Sequence, residues 1–176
     1  MTHRQTLREL AHEYHGVVTV RDAERNGVPG VEVRKLASRG ALTRLGHGVY
    51  LMTEAPTDEL TEFAAAVALV GRDGILVDES VLAAHDLAQV NLRRIKVATL
   101  ARIRRQLPPT VEIVRRHVAE HDELDGIPVM RLGDALLSSR GAVMPSRLVD
   151  AARTAAARGL IDHEEAMEVI NELEDE

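Results

Sequence analysis

Several side chains stand at spacings that could support metal chemistry. His117 and His121 lie four residues apart, with Glu120 and Asp122 beside the second histidine. Two histidines at this spacing can bind zinc from one face of a helix. This segment, however, is polar, resembles a loop and offers no third committed ligand. The spacing therefore indicates surface histidines rather than a metal centre.

Other residues suggest catalysis only weakly. Asp78 and Glu112 each stand near a predicted strand, as half of a metal-dependent nuclease site would, but two arginines follow where a catalytic lysine is usual. Ser80 and His85 have no identifiable acidic partner for a hydrolase triad. The chain has no Cys, which excludes thiol nucleophiles, thiolate zinc sites and disulfides. With no phosphate loop or dinucleotide fingerprint either, the sequence predicts no enzyme, cofactor or metal.

The chemistry that the sequence favours is phosphate binding by arginine and lysine. Residues 1–54 carry a net charge of +2, whereas residues 134–176 carry −6. The stretch 91–117 holds eight basic residues and one acid. A basic head and an acidic tail indicate two kinds of partner. Aromatic residues make up only 2% of the chain, which disfavours modules that stack single-stranded bases.

Three helices and a hairpin are predicted to position the basic residues of the head. Apolar residues at i, i+3, i+4 and i+7 from Leu7 predict a first helix that ends at Gly16. A short apolar link then leads to Thr19, the predicted N-cap of a short second helix. A third helix is predicted over residues 30–38, followed by two strands around the turn 46–48. This order is typical of a winged helix-turn-helix, whose third helix enters the major groove.

On this fold, polar side chains that face outward from the third helix and the hairpin are expected to contact DNA. The predicted DNA-binding residues are Thr19, Arg34, Lys35, Ser38, Arg39, Arg44, His47 and Gly48. Basic residues of the stretch 91–117 would extend this footprint, meet an acidic protein or simply face solvent. They are Arg93, Arg94, Lys96, Arg102, Arg104 and Arg105. A protein-interaction module of the same topology stays open as the alternative for the head.

The segment GVVTVRDAERNGVPGVEVRKLASRGALTRLGHGVYLM, residues 16–52, resembles the N-terminal winged helix of AbiEi-type antitoxins of bacterial toxin–antitoxin systems. Members share the pattern xxLxxLxxRGxLxRLxRGVY. The matching positions here are Val33, Leu36, Arg39, Gly40, Leu42, Arg44, Leu45, Gly48, Val49 and Tyr50. His47 stands where the family more often has Arg or Lys, so this phosphate contact is expected either to be weaker or to depend on pH. Two later segments, residues 80–87 and 125–129, match patterns of the same family more loosely.

The remainder, residues 58–176, is predicted to form a small mixed α/β domain that ends in a helical hairpin. The predicted boundary is the segment 53–58, which contains Pro56. The whole chain is thus assigned to the α+β class. The predicted elements are helices over 57–70 and 81–87, strands near 75–77, 95–100, 110–115 and 127–130, and helices beginning at Leu132, at Pro145 and after the N-cap Asp162. The predicted inner faces of the last two helices are Leu148, Val149, Ala152 and Ala156, and Ala166, Val169, Ile170 and Leu173.

The resemblance implies an antitoxin that also represses its own operon. The winged helix would bind inverted repeats in promoter DNA, with a homodimer as one arrangement, and the remainder would counter a nucleotidyltransferase-type toxin. Because acidic side chains suit a cleft that holds phosphates, the expected toxin contacts are Glu165, Glu168, Glu172 and Glu174. No apolar run reaches the length of a membrane span, so the expected location is the cytoplasm.

Two alternatives of other classes remain open. One is a ligand-responsive winged-helix regulator, which an apolar pocket with converging polar groups would favour. The other is an enzyme with a nuclease-like second domain, which clustered carboxylates near a metal would favour.

Overall fold

The chain forms two compact units in the computed structural model, which describes residues 1–175. The first unit comprises Met1–Arg72 and Ala101–Pro108, and the second comprises Asp73–Leu100 and the chain from Pro109 onward. The predicted boundary at 53–58 therefore lies inside the first unit. No helix in the described part of the chain has the length and apolar character needed to cross a membrane.

The first unit contains a winged helix-turn-helix, as predicted. Its elements are α1 (His3–Glu13), β1 (Val17–Thr19), α2 (Val20–Arg25), α3 (Gly30–Ser38), β2 (Leu42–Gly46), β3 (Val49–Met52) and α4 (Thr61–Val70). The strands form an antiparallel sheet in the order β1-β3-β2. The prediction of a mere apolar link after α1 was wrong, because Val17 and Val18 pair with Leu51 and Tyr50 in a third strand.

Local side chains explain where these helices begin and end. Thr2 caps α1 in a reciprocal capping box with Gln5, and the Thr19 hydroxyl accepts a hydrogen bond from the Asp22 amide at the start of α2. At the end of α3, the Gly40 amide donates to Ala37 and the Ala41 amide donates to Leu36. Gly40 adopts a φ of +81°, which only glycine adopts without cost, so α3 stops at its predicted end.

The core of the winged helix is built from small aliphatic side chains. Leu7 of α1, Val18 of β1 and Val33 of α3 are each at most 1% exposed and belong to one cluster. Tyr50 is the single aromatic residue in that cluster. Because Val33 faces inward, its neighbour Val31 is left 49% exposed on the outer face of α3.

Helix α4 belongs to the first unit because it is apolar on nearly all sides. Phe63, Ala64 and Val67 are among its buried residues, and the helix packs against all three strands of the sheet. The segment 101–108 returns to this helix. The Arg105 guanidinium donates to the Leu69 and Val70 carbonyls at 2.7 and 2.6 Å, which satisfies carbonyls that have no partner at a helix C-terminus.

The second unit is a mixed five-stranded sheet with four helices. Its elements are β4 (Ile75–Leu76), α5 (Glu79–Ala84), β5 (Ile95–Ala98), β6 (Val111–Val114), β7 (His121–Leu124), β8 (Ile127–Met130), α6 (Leu132–Ser138), α7 (Pro145–Ala157) and α8 (His163–Glu174). The strand order is β6-β5-β4-β8-β7. Strands β5 and β6 are parallel, as are β4 and β8, and the other pairs are antiparallel.

The prediction of a loop around His121 was wrong, since β7 pairs with β8 from His121 to Leu124. This strand lies at the sheet edge, and His121, Asp122 and Glu123 are all exposed. Charged side chains on an edge strand discourage pairing with another chain. Because these residues are polar or charged, β7 lacks the alternation of apolar and polar side chains from which a strand is predicted.

The helical hairpin is confirmed in α7 and α8, which pack against each other. The Asp162 side chain accepts from the Glu165 amide at 2.8 Å, as expected of an N-cap. The predicted inner face of α8, namely Ala166, Val169, Ile170 and Leu173, is buried. On α7, Leu148, Val149 and Ala152 are buried as predicted, and Ala151 and Ala155 are buried as well, whereas the predicted Ala156 is only half-buried.

Arg105→Ala is expected to destabilise the first unit by about 1–3 kcal/mol, because the end of α4 loses hydrogen bonds and its buried carbonyls are left unpaired. Arg104→Ala is the matched control. Arg104 is exposed and makes no hydrogen bond or ion pair within residues 1–175, so its loss should change stability by less than about 0.5 kcal/mol. Urea unfolding measures both. Equal stability of the two variants would contradict the role of Arg105 in holding α4.

Candidate nucleic-acid interface

The outer face of α3 carries an exposed stripe at helical spacing. Val31, Arg34, Lys35 and Ser38 follow the pattern i, i+3, i+4 and i+7, and all four are exposed. Val33, on the opposite side, is fully buried. The burial of one side of α3 therefore presents the predicted basic residues together on the other.

The basic side chains of this region differ in whether they already pair with an acidic side chain of the protein. The side chains of Arg34, Arg39 and Arg44 form no hydrogen bond or ion pair within residues 1–175. Lys35, in contrast, donates to Glu32 at 2.8 Å. This hydrogen bond holds the pKa of the Glu32 carboxyl below its usual value. Glu32 therefore stays ionised beside the basic stripe and offsets part of its charge.

Two of the predicted polar contacts already have partners within the protein. The Ser38 hydroxyl donates to the Lys35 carbonyl at 2.7 Å. The Thr19 hydroxyl donates to the Asp22 carboxylate at 2.8 Å while it caps α2. Both residues keep part of their surface accessible at the ends of helices. A phosphate would have to share or displace these hydrogen bonds.

The hairpin brings further predicted residues close to the start of α2. Arg44 is exposed on β2, and the two-residue turn between β2 and β3 consists of His47 and Gly48. Gly48 has a φ of +68°, which favours glycine at this position. Its carbonyl accepts from the Val20 amide at 2.9 Å. The structure thus places Thr19 and the hairpin turn side by side.

The basic stretch 91–117 is divided between the two units. Arg93, Arg94 and Lys96 belong to the second unit, whereas Arg102, Arg104 and Arg105 belong to the first. Of the latter three, Arg105 is held by α4 carbonyls. Lys96 is paired with Glu79 at 2.8 Å. The others are exposed, and no described contact engages their side chains.

The predicted acidic contacts lie on α8. Glu168, Glu172 and Glu174 are exposed, while Glu165 is half-buried in the first turn of the helix. Glu165 approaches Gly133 of α6 so closely that a Cβ there would lie 2.5 Å from its Oε1. Glu176, part of the acidic end noted in the sequence, lies outside the described residues. The exposed face of α8 therefore carries most of the predicted acidic set.

Three of the residues considered for catalysis, Asp78, Ser80 and His85, have other structural roles or environments. Ser80 is fully buried and its hydroxyl accepts from the Lys96 amide at 2.8 Å, while His85 is half-buried and burial lowers its pKa. Asp78 pairs with Arg116 at 2.6 Å. Within residues 1–175, no group of three or more His, Asp or Glu side chains is arranged to hold a metal ion. Two arginines follow Glu112 along the chain, but Lys96 of β5 stands opposite Glu112 of β6 in the register of the two strands, a placement that no local pattern predicts.

Comparison with known families identifies the N-terminal part of the chain. Residues 5–53, from α1 to the end of the hairpin, match the family model described as a transcriptional regulator, AbiEi antitoxin. No curated protein matches the chain. The match confirms the AbiEi resemblance for the N-terminal segment, and it supports a role as an antitoxin and DNA-binding regulator.

Arg34→Ala is expected to lower the slope of log K against log salt concentration by about 0.9 for binding to a short DNA duplex, because one phosphate contact is lost. Glu32→Gln should tighten binding, since it removes a negative charge and releases Lys35. Fluorescence anisotropy at three salt concentrations measures both effects. Arg153→Ala, an exposed arginine on α7, is the control and should leave the slope unchanged. Equal slopes for Arg34→Ala and the wild type would remove α3 from the interface.

Proposed function

We propose that the chain is an antitoxin that represses its own operon through its AbiEi-type winged helix and neutralises a nucleotidyltransferase-type toxin through its second unit. The observation that carries the DNA-binding half is the exposed stripe on α3. The matched segment supports the regulatory class of the protein. The toxin-binding half rests on the family resemblance and on the acidic surface of α8.

In this proposal α3 lies in the major groove of the promoter. Arg34, Lys35 and Arg39 bind phosphates or guanine edges, and the hairpin carries Arg44 and His47 to the neighbouring backbone. Val31 adds a contact that sequence reasoning did not find. Its apolar side chain is 49% exposed in the same stripe, where it can meet the methyl group of a thymine. The signal for it was its helical spacing to Arg34 and Ser38.

The α8 surface of the second unit suits a basic protein partner better than DNA. Glu168, Glu172 and Glu174 are exposed on α8, and the first turn of this helix adds the carboxylates of Glu164 and Glu165. Phosphates would be repelled from such a surface, whereas a cleft that evolved to hold nucleotide phosphates would attract it. Met167, which is 42% exposed, lies beside Glu168 and offers an apolar contact within this acidic face.

The test uses the full-length chain, since α4 and the segment 101–108 complete the first unit. A cut at residue 55 would separate α4 from the sheet on which it packs. Two double variants of the whole chain are therefore used in place of a truncated protein. One combines Arg34→Ala on α3 with Arg39→Ala at the C-cap of that helix, and is called the α3 variant. The other combines Glu168→Gln and Glu172→Gln on α8 and is called the α8 variant. All four side chains are exposed, so both proteins are expected to fold.

The α3 variant should lose promoter binding by about tenfold or more and still protect cells from a nucleotidyltransferase encoded beside this chain. The α8 variant should keep promoter binding and weaken capture of that toxin, with the larger loss at low salt. Promoter gel shifts, toxin pull-down and cell survival provide the readouts. Loss of protection in the α3 variant, with protection intact in the α8 variant, would contradict direct neutralisation by the second unit.

A further inference from the structure

A cavity of about 730 Å³ lies within the second unit, and the proposed function does not use it. Its walls are the loop 88–94 and the segment 141–147 at the start of α7. Lys96 of β5 and Glu112 of β6 complete the lining, together with Glu79 of α5. This volume falls in the range of roughly 300–1,000 Å³ that is typical of small-molecule sites.

Most of the charged residues that line the cavity are positive. Arg93, Arg94, Lys96 and Arg147 face two acids, Glu79 and Glu112. The three arginines are exposed and form no ion pair or hydrogen bond with any residue that the structure describes. Lys96 is already bound to Glu79. Three guanidinium groups are therefore available to bind an anion, and arginine binds phosphate with two parallel hydrogen bonds.

The start of α7 adds to this positive field. Met144 is its N-cap and forms no side-chain hydrogen bond to the helix. The first turn of this thirteen-residue helix contains no acidic residue, although Pro145 contributes no N–H, and Gly141, Ala142, Val143, Met144 and Arg147 lie in the cavity wall.

The loop that walls the cavity is also conformationally unusual. Ala88 and Gln89 have φ values of +61° and +47°, in the left-handed region that non-glycine residues seldom occupy. Such backbone strain concentrates at binding and active sites. Val90, Leu92 and Val143 add an apolar portion to the lining, and Met144 beside them is 63% exposed.

We infer that this cavity binds a nucleotide. Arg93, Arg94 and Arg147 hold its phosphates beside the start of α7. The base rests against the apolar side chains of Val90, Leu92 and Val143. A phosphate group alone would leave the apolar wall unused, so a nucleotide contacts more of the site than inorganic phosphate does.

The experiment titrates the full-length protein with each of the four ribonucleoside 5′-triphosphates, with the corresponding nucleosides and with inorganic tripolyphosphate, by isothermal titration calorimetry. At least one triphosphate should bind saturably, about tenfold or more tighter than its nucleoside and than tripolyphosphate. Arg147→Ala and Arg93→Ala should each weaken that binding by about tenfold. Arg153→Ala is the matched control, because it is an exposed arginine on the same helix outside the cavity, and it should bind as the wild type does.

Binding that does not saturate, or an equal loss in Arg153→Ala, would overturn the inference, since the attraction would then be general to the basic surface. Equal affinity for tripolyphosphate would overturn the nucleotide assignment. A duplex DNA whose affinity falls in Arg93→Ala and Arg147→Ala, with no binding of the triphosphates, would assign these arginines to a DNA footprint instead. The comparison of ligands uses only the wild-type protein, so it still tests the inference if a variant fails to fold.

Discussion

The burial of Val33 determines which side of α3 faces solvent. This β-branched side chain is completely buried among residues of α1, the sheet and the preceding turn, and Leu36 and Ala37 pack against the same cluster. Because successive helical residues turn by about 100°, fixing Val33 inward fixes Val31, Arg34, Lys35 and Ser38 outward. The end of α3 at Gly40 then directs the chain into the hairpin. The basic surface is thus a consequence of how the apolar core packs.

The scarcity of aromatic residues shapes both units. With no Trp and a single Phe in the chain, the cores are filled by Ala, Val, Leu and Ile, and each element buries little surface alone. The first unit therefore gathers several pieces: the winged helix, α4 on its sheet, and the segment 101–108, which binds the end of α4 through Arg105. In the second unit, alanines at the α7 and α8 contact allow the two helices to pack closely.

The parts that could be predicted from the sequence are those governed by local signals. Thr19 and Asp162 are N-caps, Gly40 ends α3, and the periodicity of α8 identifies its buried residues, because each depends on neighbours within one or two turns. Strand β1 was missed because three residues show no alternation, and β7 because its charged side chains resemble a loop. The positions of Arg105 and Lys96 depend on partners far along the chain, Leu69 and Glu79, which no local pattern connects.

The features of the candidate site likewise divide into those that local sequence patterns predict and those that depend on contacts formed only in the fold. The sequence located Arg34, Lys35, Arg39 and Arg44, because outward positions follow from helix and hairpin periodicity. It did not reveal that Glu32 binds Lys35 and reduces its free charge, nor that the Val20 amide holds the hairpin turn through the Gly48 carbonyl. The cavity of the second unit could not be predicted from the sequence, because its walls come from separate segments, 88–94 and 141–147, that only the fold brings together.

The most direct measurement of the DNA interface is the backbone amide NMR spectrum of the full-length protein during titration with a short DNA duplex. If α3 and the hairpin form the interface, the largest shifts occur at residues 31–39 and 42–49 and at the Thr19–Val20 junction, while α8 stays unperturbed. Shifts concentrated on α7 and α8, with α3 unchanged, would contradict the assignment of DNA binding to the winged helix.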